Sequence, residues 1–249
     1  MKDEVVIERR FNGPPNSAHG GYACAVAAQL LDWSAEVSLK APPPLESPLS
    51  VRRDGEGVAL EQDGQVVIAG RPAQPELDVP EPVSLADAEA AAAACPWLEK
   101  HPFPSCFGCG FERPPGDGLF EFPGPVSGRP GIWAAVWKPH PLLADDAGDV
   151  LPIFTFSALD CPSAAGAISA TDAQGVYVLG RMTGKVLGTA RAGEPHVVIA
   201  WPVRQEGRKR YGGVAIFDGS KICALAEALW IQLREPDQFD AAAGGDLSG

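Results

Sequence analysis

The sequence is poor in several features that mark common functional classes. Its 249 residues include 20 basic and 32 acidic side chains, and the net charge of −12 disfavours a general nucleic-acid binder, which needs a basic face. No apolar run approaches the roughly 18–20 residues that span a bilayer. The N-terminal stretch MKDEVVIERR lacks the apolar core of a signal peptide. These absences predict a cytoplasmic protein with neither a nucleic acid nor a membrane as its partner.

Cysteine and signature motifs are scarce as well. Six cysteines in a chain of this length are too few for a secreted disulfide scaffold, so we expect reduced thiols. Glycine-rich phosphate loops of the GxGxxG and GxxxxGK[ST] types are absent, and so is the GxSxG elbow of α/β-hydrolases. The sequence therefore predicts neither a nucleotide-binding loop nor a serine hydrolase of that fold.

What the sequence does contain is a repeated order of elements. The first repeat, residues 1–71, begins with a strand predicted over residues 4–11. A helix follows over residues 20–31, in which Tyr22 and Val26 lie four residues apart on an apolar face. Alanine fills most other positions, so we expect a curved sheet to enclose this helix. The runs AEVSLKA, PLSVRR, GVALEQDG and QVVIAGRP then predict a meander of antiparallel strands.

A proline-rich connector over residues 72–118 leads to a second repeat. Its single predicted helix, SLADAEAAAAAC, begins with a capping box formed by Ser84 and Asp87. Residues 119–235 then return to the earlier order, with strands GLFEF and GIWAAVW, a second small-residue helix in FTFSALDCPSAAGAISA, and four further strands. The composition of residues 236–249 predicts a disordered tail.

A helix enclosed by a curved antiparallel sheet, present twice, resembles the double form of the α+β hotdog fold. This is the architecture of the acyl-CoA thioesterase II-like proteins and related acyl-thioester enzymes. The resemblance covers about 190 residues, leaving out the connector and the tail. It implies a hydrolase of a fatty or small acyl thioester, with coenzyme A as part of the substrate, or an acyl-carrier thioester, and no further cofactor. A homodimer or larger homo-oligomer is left open.

The start of the first helix carries the most specific part of this resemblance. Asn16, His19, Gly20 and Gly21 resemble a motif that opens the central helix of many small hotdog thioesterases. The first helical turn offers unpaired N–H groups and the positive end of the dipole, and glycine lets a ligand approach closely. These residues are therefore candidate oxyanion donors, with His19 positioning the thioester or a neighbouring group. The alternative is that the glycines only allow close packing.

Asp160, near the start of the second helix, is the candidate catalytic carboxylate. The resemblance implies that it works with Thr183 and Glu227 on neighbouring strands, although double-hotdog thioesterases carry Gln where Glu227 stands. Ala28 replaces the carboxylate of single-hotdog enzymes, so one site should combine both repeats. The alternative is that Asp160 caps its own helix. A cap would lower the pKa of Asp160, whereas burial in an acyl tunnel would raise it.

Two further sets of residues are predicted to bind the substrate. The stretch RQEGRKRYGG is the densest basic segment, and its side chains suit the phosphates of coenzyme A, unless it is only a solvated hairpin tip. The acyl chain is expected to lie between the two helices. The predicted phosphate ligands are Arg204, Arg208, Lys209 and Arg210, and the predicted tunnel residues are Tyr22, Val26 and Ala164.

Cys106 and Cys109, in CFGCG, form a C-x2-C turn of the kind that supplies half of a zinc site. A closed site needs four ligands, and only Cys95 and His101 lie nearby in the sequence, so we expect these thiols to pack a tight turn, with metal binding as the weaker alternative. Two alternatives to hydrolysis also stay open. One is an acyl-thioester or lipid-binding protein without hydrolysis, and the other is an enoyl- or 3-hydroxyacyl-CoA hydratase or dehydratase that uses His19 and Asp160.

Overall fold

A computed structural model describes residues 4–171, 173 and 175–234, and it is built on one antiparallel sheet of eleven strands. The strands are β1 Glu4–Val6, β2 Ser34–Leu39, β3 Pro48–Asp54, β4 Gly57–Gln62, β5 Gln65–Pro72, β6 Gly124–Pro125, β7 Trp133–Trp137, β8 Tyr177–Val186, β9 His196–Glu206, β10 Lys209–Asp218 and β11 Lys221–Gln232. The α-helices are α1 Gly20–Ala28, α2 Leu85–Ala93, α3 Pro152–Ser157 and α4 Asp160–Ala164. Among the described residues, no helix is both long and apolar enough to cross a bilayer. The predicted tail, residues 236–249, lies outside the described part of the chain.

The sheet repeats one strand order on either side of a central pair. The first half runs β1-β3-β4-β5-β2, and the second runs β8-β11-β10-β9-β7 with β6 at the edge. β2 and β8 pair antiparallel across the middle, with Ser34 opposite Lys185 and Ser38 opposite Arg181. Counted outward from this pair, each half presents its strands in the same order. The strands predicted over the two meanders are confirmed.

α1 is enclosed by the protein, as its small side chains predict. Seven of its nine residues are buried, most of them alanine. Their small volume lets the sheet come close, since a Cβ on Gly70 of β5 would lie 2.9 Å from Leu31 Cδ1 and 3.6 Å from Ala27 Cβ. After a short 3-10 turn the backbone is left-handed at Asp32 and Trp33, which ends the helix and leads into β2.

The second helical segment differs from the single helix that its small residues predict. It is divided into α3 and α4, followed by π-helical residues Ala165–Ser169. Pro162 accounts for the break, because it has no N–H for the carbonyl of Ala158 and its ring would clash with that carbonyl. Gly166 lets the π-helical part approach β9, since a Cβ there would lie 2.6 Å from Trp201 N. The break places Asp160 in the first turn of α4.

The connector helix and its neighbouring segments show one confirmed prediction and two corrections. Ser84 Oγ accepts a hydrogen bond from Asp87 N and caps α2, as the capping box predicts. GLFEF is not a strand, because its backbone bonds to the cysteine turn instead: Leu119 N donates to Phe107 O and Glu121 N to Gly108 O. The strand predicted over residues 4–11 is confined to β1, and Arg9–Phe11 form a 3-10 turn.

The core lies mainly between the sheet and the helices. One apolar cluster fills the space around α1, α3 and α4, including Phe156, Leu159 and Met182, all of which are fully buried. A second cluster lies on the opposite face of the second half, where Ala88 and Ala91 of α2 pack toward β7 and β9. The sheet therefore has an inner face, toward α1 and α4, and an outer face. This distinction decides where each candidate site residue points.

Candidate functional site

The starts of α1 and α4 meet inside the molecule. The Asp160 carboxylate reaches across to α1, where its Oδ2 accepts a 2.6 Å hydrogen bond from Gly21 N and lies 3.1 Å from His19 Nε2. His19 caps α1 in turn, since its Nδ1 accepts from Tyr22 N at 3.2 Å. The Asp160 carbonyl accepts from Ser163 Oγ. Two segments that are about 140 residues apart in the sequence thus share one buried polar contact.

Glycine makes this contact possible. A Cβ on Gly21 would lie 2.5 Å from the Cβ of Asp160 and 2.6 Å from Ser157 O, too close for any side chain. The close-packing interpretation of the His-Gly-Gly stretch therefore holds for Gly21. Its N–H is also taken by Asp160, and the Tyr22 N–H is taken by His19. Within the described residues, the Gly20 N–H is the amide of this turn for which we find no acceptor.

Burial and the contact between the two groups together shift both pKa values of the pair. Asp160 is 3 % exposed, and the loss of solvation raises its pKa even though His19 and the Gly21 N–H work in the opposite direction. Burial acts to lower the pKa of His19, but the Asp160 carboxylate and Cys106 outweigh it and raise that pKa. Asp160 does not cap its own helix, whose N-cap is Leu159. The carboxylate caps α1 instead and is desolvated there, which fits the predicted upward direction.

One oxygen of this carboxylate has no protein partner. Asp160 Oδ1 is buried and makes no hydrogen bond to any described residue. Asp160 lines a cavity of about 740 Å³ between the helix starts, the start of β8 and the connector. Among the described residues that line it, Asp160 is the one acid, while Lys40 and Lys100 are cationic. The cavity therefore offers a base beside apolar walls and positive charge on its lining.

Three thiols gather against the same contact. Cys106 Sγ lies 4.0 Å from Cys161 Sγ, and His19 Nε2 lies 3.3 Å from Cys161 Sγ. Cys109 completes a buried cluster with these two cysteines, which we call the thiol cluster. Hydrogen bonds with Cys109 and Cys161 lower the pKa of Cys106 well below its usual value. His101 Nε2 contacts Cys109 Sγ at 3.1 Å.

Glu121 is a further acidic group near the site. It is fully buried, and neither of its carboxyl oxygens has a partner among the described residues. Desolvation raises its pKa well above the usual value, and the charges of Asp160 and Cys106 push in the same direction. Its N–H donates to Gly108 O, which holds Glu121 against the cysteine turn.

The structure does not bring Glu227 and Thr183 to Asp160. Ala226 and Ala228 flank Glu227 and belong to the inner cluster, so Glu227 points to the outer face. There its carboxylate binds the guanidinium of Arg204, with an N–O distance of 2.6 Å. Thr183 lies opposite Glu227 on β8 and shares that face. The helper roles implied by the resemblance therefore have no geometric support.

The predicted substrate-binding residues are also divided. The four basic side chains of the β9–β10 hairpin do not line the cavity, and Arg204 stacks on the ring of Tyr211. Asn16 is exposed in the turn before α1, while the buried asparagine is Asn12, which accepts from Arg113 Nη1. Of the predicted tunnel residues, Ala164 lines the cavity, whereas Tyr22 stacks on Phe11 and Val26 is in the core. The four basic side chains of this hairpin, which were the predicted phosphate ligands, are Arg204, Arg208, Lys209 and Arg210.

Comparison with solved structures finds the same fold over nearly the whole chain. A protein of Novosphingobium aromaticivorans named as a thioesterase superposes with a TM-score of 0.59 at 13% identity, covering 92% of this chain and 94% of the other. The TesB protein of Mycobacterium avium subspecies paratuberculosis gives 0.58 at 15%, covering 88% and 89%. A protein of Thermobifida fusca named as a thioesterase II gives 0.56 at 14%, covering 94% of each. No family model and no curated protein sequence matches the chain.

The chain thus has the fold of the thioesterase hotdog superfamily, and the resemblance drawn from the sequence is confirmed at this level. The superpositions establish the fold. At identities of 13–15% they do not establish the chemistry, which has to be argued from the residues of this chain.

Proposed function

We propose that the protein is a double-hotdog thioester hydrolase that cleaves an acyl thioester, and that Asp160 is its catalytic base. The observation that carries the proposal is the buried Asp160 carboxylate, whose Oδ1 has no partner and whose side chain lines the cavity between the two helix starts. The repeated strand order around β2 and β8 supports the double-hotdog architecture. Thioesterase names among the structures of the same fold give the reaction class.

The chemistry follows from the two oxygens of Asp160. Oδ2 is fixed by Gly21 N and His19, so Oδ1 is left to accept a proton from a water molecule as that water attacks the thioester carbonyl. The Gly20 N–H, at the positive end of α1 and on the cavity wall, is placed to stabilise the oxyanion. The leaving sulfur then takes the proton held by Asp160 as the carbon–sulfur bond breaks, so the products are a carboxylic acid and a free thiol and the base is regenerated.

The lining of the cavity also suggests which part of it holds the carrier. Lys40 and Lys100 lie on cavity walls in an otherwise acidic protein, and ammonium groups bind phosphate as point charges. We assign them to the phosphates of coenzyme A or of a phosphopantetheine carrier, in place of the β9–β10 hairpin. The apolar wall formed by Ala164, Ile168 and Leu179 would receive the acyl chain.

The test is release of free thiol from acyl-CoAs of short, medium and long chains, measured beside equilibrium binding of the same compounds. Hydrolysis predicts saturable release of CoA with one preferred chain length. Binding without any release would contradict the hydrolase assignment.

One observation favours a second candidate, a binding protein that has lost hydrolysis. Glu227 and Thr183 lie on the outer face, so neither of these two polar side chains is placed to hold the water beside Asp160. The same panel decides between the two, since a binder would saturate with acyl-CoA and leave the thioester intact. A hydratase needs a histidine and a carboxylate on opposite sides of its substrate, whereas His19 and Asp160 are in direct contact, so we do not propose it.

A further inference from the structure

Four metal-binding side chains from three distant segments converge beside the cavity. Cys106 and Cys109 come from the connector, Cys161 from α4, and His19 from the start of α1. All four are buried. We propose that these four residues bind one zinc ion, which joins the connector to both helix starts.

The spacing of the donor atoms suits a tetrahedral ion. With Zn–S bonds of about 2.3 Å and Zn–N bonds of about 2.0 Å, neighbouring donor atoms lie roughly 3.5–3.8 Å apart. The distance between the sulfurs of Cys106 and Cys161 is 4.0 Å, and that from His19 Nε2 to Cys161 Sγ is 3.3 Å. The donor atoms of His19, Cys106 and Cys161 all lie within 4.8 Å of one another. Cys109 packs against Cys106 and Cys161 in the thiol cluster but lies outside this 4.8 Å group, so its side chain has to turn toward the other three to supply the fourth ligand.

The backbone of the cysteine turn is shaped for this approach. A Cβ on Gly108 would lie 2.4 Å from Cys161 Sγ and 2.7 Å from His19 Nε2, so only glycine lets the turn reach the other two ligands. Gly110 N donates to Cys106 O at 2.8 Å, and a Cβ on Gly110 would lie 2.5 Å from Cys106 N. The C-x2-C-G turn is therefore closed tightly, and Cys106 is held beside Cys161 and His19.

The donor set favours zinc over harder ions, because three thiolates and an imidazole are soft ligands. Binding releases the three thiol protons, and the proton on His19 Nε2 moves to Nδ1. His19 Nε2 then bonds the ion in place of its contact with Asp160 Oδ2, and Nδ1 no longer accepts from Tyr22 N. Asp160 Oδ2 stays fixed by its 2.6 Å bond from Gly21 N. His101 Nε2 is placed to donate to the Cys109 thiolate as outer support. All three sulfurs line the cavity, which gives the ion a route of entry.

The experiment uses the full chain, reduced and stripped of metal with a chelator, and then titrated with Co²⁺ as a spectroscopic probe and with Zn²⁺. We expect one ion per chain, thiolate-to-cobalt charge-transfer and tetrahedral d–d bands, displacement of Co²⁺ by Zn²⁺, and a higher melting temperature when metal is bound. C106S and C161S should lose these bands. C223S is the matched control, since Cys223 is equally buried but belongs to β11.

A second readout needs no variant. Zn²⁺ should protect Cys106, Cys109 and Cys161 from alkylation in the native protein, as located by mass spectrometry, while labelling of Cys223 stays unchanged. Either a wild-type chain that gives no tetrahedral cobalt spectrum, or a disulfide within the thiol cluster of protein purified under reducing conditions, would overturn the proposal. These readouts do not depend on turnover, so they remain valid if the protein hydrolyses no thioester.

Discussion

Two carboxylates of the second half, those of Asp160 and Glu227, lie on the inner and outer sides of the sheet. They differ in solvent exposure and in hydrogen bonding. Asp160 faces inward, is 3 % exposed, and has an oxygen without a partner. Glu227 faces outward, and both of its oxygens are held by the guanidinium of Arg204 in a partly exposed ion pair. Only the inner carboxylate combines desolvation, a free lone pair and a cavity.

The comparison shows that exposure to solvent affects the chemistry of a carboxylate more than the presence of a basic partner does. An exposed ion pair such as Arg204–Glu227 contributes about 0–1 kcal/mol, because water screens it and the side chains lose freedom. A buried carboxylate changes its pKa, and every nearby donor matters more in a medium of low dielectric. We therefore assign reactivity to the inner face and a structural role to the outer face. The following variants test that assignment in order of decreasing effect, apart from the direct comparison of the two carboxylates, which comes last.

Removing the positive charge of the cavity should weaken carrier binding most. With Lys40 and Lys100 both changed to Gln, we expect KM for acyl-CoA to rise about 100-fold, since hydrogen bonds to charged groups contribute roughly 1.5–3 kcal/mol each. KM for the same acyl group on N-acetylcysteamine, which has no phosphate, should not change. The outer control is Arg208→Gln with Arg210→Gln, for which we expect less than a twofold change in KM. An equal effect of the two pairs would contradict the assignment.

Filling the space between the helix starts should destabilise the fold. Gly21→Ala brings a Cβ within 2.5 Å of Asp160 Cβ and 2.6 Å of Ser157 O, and we expect a loss of about 2–3 kcal/mol in the free energy of unfolding. Gly20→Ala is the milder comparison, because its Cβ would lie 3.0 Å from Leu179 Cβ and Cδ2 and 3.2 Å from Asp160 Oδ2, with no contact below 3.0 Å. Urea denaturation of both variants measures the difference. Equal stability of the two would show that the contact with Asp160 is looser than described.

Glu121 predicts a pH dependence of stability whose sign is fixed by its burial. Its pKa is raised in the folded protein, so the stability it contributes is complete below the unfolded-state pKa and is lost as pH rises toward the folded-state pKa. Glu121→Gln removes this loss. The variant should gain on the wild type by up to roughly 1.4 kcal/mol per pH unit in that window. Thermal melts of both proteins between pH 4 and pH 8 test it, and parallel curves would be the contrary result.

The outer ion pair should have the smallest effect. Arg204→Gln, Glu227→Gln and the double variant should each change the free energy of unfolding by less than about 1 kcal/mol, with a coupling energy below about 1 kcal/mol, because Arg204 is 41 % exposed at its side chain. A double-mutant cycle by urea denaturation measures the coupling. A coupling of several kcal/mol would place this pair in the same class as the inner one.

The periodicity of apolar residues predicted most of the fold, because the strands are rich in β-branched residues and α1 consists almost entirely of small ones. It failed at the second helix, although Pro162 carried the signal for the break. It failed at GLFEF because that segment bonds to a turn that no local pattern reveals. The sequence predicted one site that combines residues of both repeats, with His19 from the first and Asp160 from the second. In the structure these two side chains are in contact.

The rest of the site depends on distances that the sequence does not contain. Cys161 is 55 residues from Cys106, so no spacing rule joins it to the C-x2-C turn. Lys40 and Lys100 are isolated in the sequence and form no visible patch. For Glu227 a signal was present, since alanines at 224, 226 and 228 mark the inner face and leave Glu227 on the other.

The most direct test compares the two carboxylates in one assay. Asp160→Asn and Glu227→Gln are measured for CoA release from the acyl-CoA that the wild type prefers, with folding checked by circular dichroism. We predict that Asp160→Asn lowers kcat/KM by about 10²–10⁴-fold, as expected for loss of a general base, and that Glu227→Gln changes it less than about twofold. A folded Asp160→Asn protein that keeps its turnover, beside a Glu227→Gln protein that loses it, would contradict the account.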